Sequence, residues 1–371
     1  MSSQSVYAVF AGGGTGGHLF PGLAVASELL LAEPSLKIAF AGAGRAWECE
    51  QVARSGHEYL STPCGPWPGR RWSAGRFLVR NALGYYASLR FLRRHRVAVV
   101  IGLGGYASAP MARAAVSCGI PLVLLEQNAL PGKVNRWLAP SARLVCAAFE
   151  ESRAYLRSTH AFCLTGNPIR LDRATIADSC RPRTSQLLVL GGSRGSGRLN
   201  QHVPRALALA RLAAQGWSIV HQAGPAETAE TLARYEAFNL QATVVPFIDQ
   251  LPSALASSKL AVCRAGGSTL AELAAAGTPA ILCPYPQAAD DHQRRNAASY
   301  AAAGACLVVD EQEPSNSFSE RLSAAVTRLA TDQELWRQHS AALLRLARPQ
   351  AARHIAELIL EQAVPRRQRS A

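Results

Sequence analysis

Short apolar runs alternate along this chain with longer stretches whose apolar residues recur at helical spacing. Residues 7–11, 38–41, 97–103, 122–125, 144–148 and 162–164 form one series of such runs. Residues 187–190, 218–221, 243–246, 260–263, 280–283 and 306–309 form a second. Runs this short, apolar at nearly every position and bounded by turn residues, predict strands buried on both faces of a parallel sheet. The Ala- and Leu-rich stretches between them predict the covering helices, so the pattern gives two α/β halves. Each half opens alike, with a strand, a glycine-rich turn and a helix: AVFAGGGTGGHLFPGLAVASELL and LLVLGGSRGSGRLNQHVPRALALA. The polar, Pro-bearing segment 167–184 carries no strand pattern and is the expected boundary. Residues 1–168, joined by a C-terminal helix over 350–363, form the expected first domain, and 169–349 the second. Two doubly wound domains facing each other across a cleft are expected to bind ligands at the carboxyl ends of their strands.

Length agrees with two domains, since 371 residues exceed the usual content of one core. A 49% apolar composition excludes a disordered chain. Net charge is +14 and uneven: residues 1–170 hold 18 basic and 8 acidic side chains, and the remainder 21 and 17. An anionic partner is therefore expected, mainly at the first half. The nine cysteines form no CxxC pair and fit reduced thiols in a cytosolic protein. No basic leader and no run of about 20 apolar residues appears, so neither export nor a membrane span is expected.

The turn 12–18 (GGGTGGH) places five glycines and a hydroxyl before a helix start, a pattern suited to bringing backbone N–H groups against an anion. His18, at that positive helix end, is disfavoured as imidazolium and suits a general base; capping or core packing is the alternative. A second turn, 191–200 (GGSRGSGRLN), offers Ser193 with Arg194 and Arg198 nearby, and a third, 102–110 (GLGGYASAP), carries no charge. No zinc or calcium spacing is present. Asp290 and Asp291 are adjacent, a poor chelate better read as helix-start charges.

Read in order, GGGTGGHLFPGLAVA, GGYASAP, LLEQNALPGKVNRWL, GNPIR, GGSRG, FIDQL, CRAGGSTLAELAAAGTPAILCPYP and DDHQRRNA resemble the MurG family of N-acetylglucosaminyltransferases, from about residue 11 to 296. The resemblance implies a GT-B fold of two Rossmann-like domains. It also implies UDP-GlcNAc as donor, held mainly by the second domain, and the membrane-anchored acceptor lipid I, held by the first. By that resemblance Thr15, Gly16 and Gly17 lie beside the sugar and diphosphate, Asn128 contacts the sugar, Arg170 neutralises phosphate and Ser193 supplies a hydroxyl. Ile248 reads uracil through its backbone, Glu272 binds the ribose hydroxyls, and His292 with Gln293 lie near the sugar hydroxyls. Gly267, Ser268, Thr269, Leu270 and Ala271 complete the donor set, and Gly104, Gly105 and Tyr106 the acceptor set. Residues 267–272 and 284–293 depart from some members, the latter by an extra residue.

Such a transfer needs one base, His18 first and Glu126 second, unless Glu126 orients Asn128. Helix starts and Arg170 stabilise a leaving diphosphate without metal, so no cofactor is required. Residues 59–125 contain no Asp or Glu but nine arginines, and mix them with large apolar side chains. This suits a peripheral site on the anionic cytoplasmic leaflet of a bacterial membrane. Arg71, Trp72, Arg76, Phe77, Val79 and Arg80 are the expected contacts, with Trp72, Phe77 and Val79 the expected exposed apolar residues. Lys133, Arg136 and Trp137 extend that patch or meet the acceptor diphosphate. Other cell-wall synthesis proteins are further candidate partners. A diacylglycerol-glucosylating GT-B enzyme and a polyanion-binding protein are the competing readings; no nucleic-acid module is recognisable, so nucleic acid is not expected as a partner.

Overall fold

The computed structural model describes residues 6–66, 74–156, 160–169, 183–192, 194–312 and 315–363. Arg71, Trp72, Arg170 and Ser193 lie outside the described residues. The chain divides into two compact units, Met1–Ile169 with Gln350–Ala371, and Arg170–Pro349.

The first unit is built on a seven-stranded sheet of β1 (Val6–Gly12), β2 (Lys37–Gly42), β3 (Glu58–Ser61), β4 (Arg96–Gly104), β5 (Leu122–Glu126), β6 (Leu144–Ala147) and β7 (Phe162–Leu164). All its pairings are parallel, in the order β3-β2-β1-β4-β5-β6-β7. The helices are α1 (Gly16–Ala32), α2 (Ala46–Arg54), α3 (Ala74–Arg94), α4 (Ala109–Ser117) and α5 (Lys133–Leu138). Strand alternation divides β1 cleanly. Ala8 and Phe10 enter a core with Leu19, Leu23 and Leu29 of α1, while Tyr7, Val9 and Ala11 face Phe91 and Leu92 of α3 and Met111 of α4. The last described helix, Ala351–Ala363, returns to this unit and inserts Ile355 and Ile359 into the α1 core.

The second unit repeats the plan with β8 (Thr184–Leu190), β9 (Ser218–Gln222), β10 (Thr243–Val245), β11 (Ser258–Cys263), β12 (Ala280–Leu282) and β13 (Cys306–Val308), all parallel, in the order β10-β9-β8-β11-β12-β13. Its helices are α6 (Gly197–Leu209), α7 (Thr228–Ala237), α8 (Leu251–Ser257), α9 (Gly267–Ala276), α10 (His292–Ala302), α11 (Ser315–Thr331) and α12 (Gln333–Leu346); the returning helix is α13. Leu187 and Val189 pack against Leu199 and Val203 of α6 and Phe318 and Leu322 of α11.

The twelve apolar runs are all strands. β3, with the sequence EYLS, lacks an apolar run and was not anticipated; as a half-buried edge strand it has only one side to satisfy. No described helix is long and apolar enough to cross a membrane. In both sheets the strand order reverses once, between β1 and β4 and between β8 and β11. At such a reversal the flanking connections leave in opposite directions and open a crevice at the carboxyl ends.

Candidate active site

At the first reversal, β1 runs into Gly12, whose φ is +139°; a Cβ there would lie 2.8 Å from the Cβ of Leu103 on β4. Glycine is thus required for the two strand ends to close together. Thr15 precedes α1 in extended conformation, and its hydroxyl bonds His18 Nδ1 at 3.0 Å instead of capping the helix. His18 is half-buried beneath the end of β4. A Cβ on Gly104 (φ +90°) would stand 3.4 Å from His18 Nε2 and 3.5 Å from Asn135 Nδ2, and one on Gly105 (φ +70°) 3.8 Å from His18 Cε1. The two glycines therefore let the end of β4 pass close beside the imidazole, which is the use of a third, uncharged glycine turn.

Glu126, at the end of β5, is fully buried and accepts from Asn128 N–H (3.0 Å), Asn128 Nδ2 (3.3 Å), Gly132 N–H (3.0 Å) and Asn135 Nδ2 (2.9 Å). Burial raises its pKa and these four donors oppose the rise. Both oxygens are engaged in holding the 126–135 loop, the geometry of an organising carboxylate rather than of one offered to a ligand. Asn135 Oδ1 is buried with no donor among the described residues.

One expectation about the first turn is corrected. Its amides are not all presented outward: Gly14 N–H is turned back to donate to Glu48 Oε1 at 2.5 Å. Arg45 Nη1 donates to Gly14 O at 2.8 Å, and its Nη2 to the Tyr106 hydroxyl at 2.9 Å. Sequence reading passed over Glu48, Arg45 and Asn135, since the partners of the first two are more than thirty residues away along the chain.

At the second reversal, the turn after β8 leads to Ser196, the N-cap of α6, whose hydroxyl accepts from Leu199 N–H. Arg264, at the end of β11 and 7% exposed, donates to that hydroxyl through Nε (3.1 Å) and Nη2 (2.6 Å). Its Nη1 reaches Cys283 O at 2.9 Å and Glu311 Oε1 at 2.5 Å. One guanidinium thus fastens the ends of β11 and β12 to the start of α6. Asn200 adds a second tie, donating to Ala223 O and accepting at the buried His221, whose pKa falls to about 3 through desolvation. Gly195 (φ +76°) is crossed so closely that a Cβ would sit 1.9 Å from Ala223 O.

α9 begins at Gly267, directly after the Arg264-Ala265-Gly266 turn; Gly267 and Leu270 are buried and Ser268, Thr269 and Ala271 half-buried. Glu272 lies one turn further on. It has no hydrogen-bond partner among the described residues, and burial raises its pKa to about 8. Ile248 is half-buried in the connection between β10 and α8. His292 opens α10, and Gln293 Oε1 accepts Tyr285 N–H at 2.9 Å. Asp290 and Asp291 both have left-handed backbone, φ +53° and +57°, and Asp291 pairs with Arg294 at 3.3 Å.

On α3 the exposed apolar residues differ from those expected. Val79 is exposed, but Phe77 is half-buried, and Leu78, Leu83 (56%) and Tyr86 (66%) join the exposed set. Val79, Leu83 and Tyr86 follow i, i+4, i+7 spacing on one helix face, with Arg76, Arg80 and Arg90 exposed beside them.

Two Rossmann-like units, each with glycine turns and helix starts gathered where its strand order reverses, define a glycosyltransferase of GT-B architecture. The glycosyltransferase family 28 N-terminal domain model matches residues 8–146, and the family 28 C-terminal domain model residues 186–358. The UDP-N-acetylglucosamine–N-acetylmuramyl-(pentapeptide) pyrophosphoryl-undecaprenol N-acetylglucosamine transferase of Geobacter sulfurreducens is 40% identical over 94% of this chain and 96% of its own length. The Methylococcus capsulatus protein of the same name is 41% identical over 96% and 98%. The crystal structure of Acinetobacter baumannii MurG superposes with a TM-score of 0.75 at 28% identity, covering 96% of this chain and 99% of that one. The chain belongs to the MurG family.

Proposed function

We propose that this chain transfers N-acetylglucosamine from UDP-GlcNAc to the muramoyl 4-hydroxyl of lipid I, with inversion, giving lipid II for peptidoglycan. Near-full-length similarity to transferases of that name carries the reading, and the two strand-order reversals supply the means.

In the reaction, the acceptor oxygen bonds to the anomeric carbon as the bond from that carbon to the UDP oxygen breaks. The electron pair leaves on the diphosphate and the acceptor proton goes to His18. When Nδ1–H donates to Thr15, Nε2 carries the lone pair on the edge beside Gly104. Glu126 acts one step back, ordering Asn128 and Asn135 through its four hydrogen bonds. On the donor side, the starts of α6 and α9 offer amide dipoles to the departing diphosphate, a role in which Arg170 and Ser193 would assist. Ile248 presents its main chain to uracil, Glu272 accepts from the ribose hydroxyls, and His292 and Gln293 border the sugar. Thr15, Gly16 and Gly17 lie beside the donor sugar and diphosphate, and Gly104, Gly105 and Tyr106 border His18 on the acceptor side. The α3 face docks on anionic lipid without spanning it, its arginines contributing about 1 kcal/mol each near the surface.

His18→Ala is expected to lower kcat by about 10²–10⁴-fold with little change in KM for UDP-GlcNAc. UDP release with a lipid I analogue, and none with diacylglycerol, is the expected acceptor dependence; the reverse refutes the assignment, and undiminished kcat in the variant removes His18 as base.

Glu272 makes nucleotide binding depend on pH. A carboxylate accepting from ribose hydroxyls must be ionised, and the free group holds its proton up to about pH 8. Affinity for UDP-GlcNAc should therefore rise with pH to about 8 and then level, with proton release on binding at neutral pH. The sign for stability is opposite: because the folded pKa exceeds the unfolded value, this group costs stability as pH climbs from about 4.5 to about 8. Calorimetry in buffers of different ionisation enthalpy checks the linkage, which Glu272→Gln should abolish; binding without proton release contradicts the assignment.

For docking, Leu83→Ser with Tyr86→Ser should cut sedimentation with anionic phosphatidylglycerol vesicles by more than half, and full sedimentation of the double variant places the contact elsewhere.

A further inference from the structure

Behind the first glycine turn lies a buried carboxylate that the transfer chemistry does not use. Glu48 stands in the first turn of α2, is 1% exposed, and belongs to neither reversal by sequence. Its Oε1 accepts from Gly14 N–H at 2.5 Å, and its Oε2 accepts from the Tyr59 hydroxyl at 2.7 Å. That phenol oxygen in turn accepts Gly44 N–H at 2.9 Å. Burial, followed by the bond to Glu48, raises the pKa of the phenol and keeps it a donor. The fit is close on every side: a Cβ at Gly13 would come within 3.1 Å of the Glu48 carboxyl carbon, and one at Gly42 within 2.6 Å of the Tyr59 oxygen. The carbonyl of the same glycine, in the next peptide unit, accepts from Arg45, one residue before α2, which also reaches Tyr106.

We propose that Glu48 is a positioning residue: with Tyr59 it clamps the Gly14 amide and thereby fixes Thr15, the next residue in the chain, and through its hydroxyl His18. The inference rests on the assignment of His18 as base. Three steps connect the carboxylate to the imidazole: Glu48 holds Gly14, the short chain to Thr15 carries that constraint forward, and the Thr15 hydroxyl fixes His18 Nδ1. A second consequence is selectivity. An N–H donating to a carboxylate is not offered to phosphate, so at Gly14 the turn presents a fixed wall suited to a sugar hydroxyl rather than an anion-binding amide.

The test uses the full-length chain as wild type, Glu48→Ala, Glu48→Gln and Tyr59→Phe. Two readouts are taken: steady-state UDP release with UDP-GlcNAc and a lipid I analogue, and the nitrogen-15 resonances of the Gly14 amide and the His18 ring. A short bond to a carboxylate places the wild-type Gly14 amide proton far downfield, and Glu48→Ala should move it upfield and shift the His18 ring signals. The same variant should lower kcat about 100-fold at unchanged KM for UDP-GlcNAc, as expected of a small misplacement, and Glu48→Gln should recover to within about 10-fold of wild type. Unmoved Gly14 and His18 resonances, or an unchanged kcat, overturn the proposal. Should Glu48→Ala not fold, Tyr59→Phe decides on the same criteria. A wild type that moves no sugar onto the lipid acceptor would refute the transferase assignment instead, and the resonances would still decide the clamp.

Discussion

Each sheet is covered by helices on both faces, so apolar packing fills the space above and below every central strand and leaves polar chemistry only the strand ends. Within each unit that constraint narrows further to the single point where the strand order reverses. Both glycine turns that open a unit sit there, as do His18 in the first unit and the starts of α6 and α9 in the second. The same constraint explains the close contacts of Gly12 with β4 and of Gly195 with the end of β9, because converging strand ends leave no room for a Cβ.

Buried polar residues then hold these ends in place. In the second unit Arg264 and Glu311 form an ion pair whose members are both almost fully buried, and the guanidinium is also bonded to Ser196 and Cys283 O. A charge removed from water in this way is tolerable only when its hydrogen bonds are satisfied, and here each of those bonds ties a different element to the carboxyl edge. The first unit uses carboxylates for the same purpose: Glu126 gathers the 126–135 loop and Glu48 the glycine turn. The electrostatic contrast follows. A carboxylate behind the first turn suits a neutral hydroxyl ligand, whereas the helix-start amides of α6 and α9 suit a diphosphate.

Much of this was legible in the sequence, because strands buried on both faces leave apolar runs and a turn at a helix start leaves glycines. β3 escaped because an edge strand facing partly outward need not be apolar. Glu48 and Arg264 escaped because their importance lies in partners distant along the chain, and a single acid or base after an apolar run looks like any surface charge. The exposed face of α3 was only partly readable: mixed arginines and apolar residues give the composition of a surface helix, but which apolar residues pack inward depends on α4, as the burial of Phe91 and Leu92 beside Met111 illustrates. The amide of Gly14 is the sharpest departure, since glycine spacing says that a backbone is accessible without saying what reaches it.

Hydrogen–deuterium exchange of the full chain, with and without UDP-GlcNAc, tests most directly whether the donor diphosphate rests on the helix starts of the second unit. The account predicts slowed exchange at amides 196–199 and 267–270, with 12–14 unaffected. Slowing confined to 12–18, with the second unit unchanged, would contradict it.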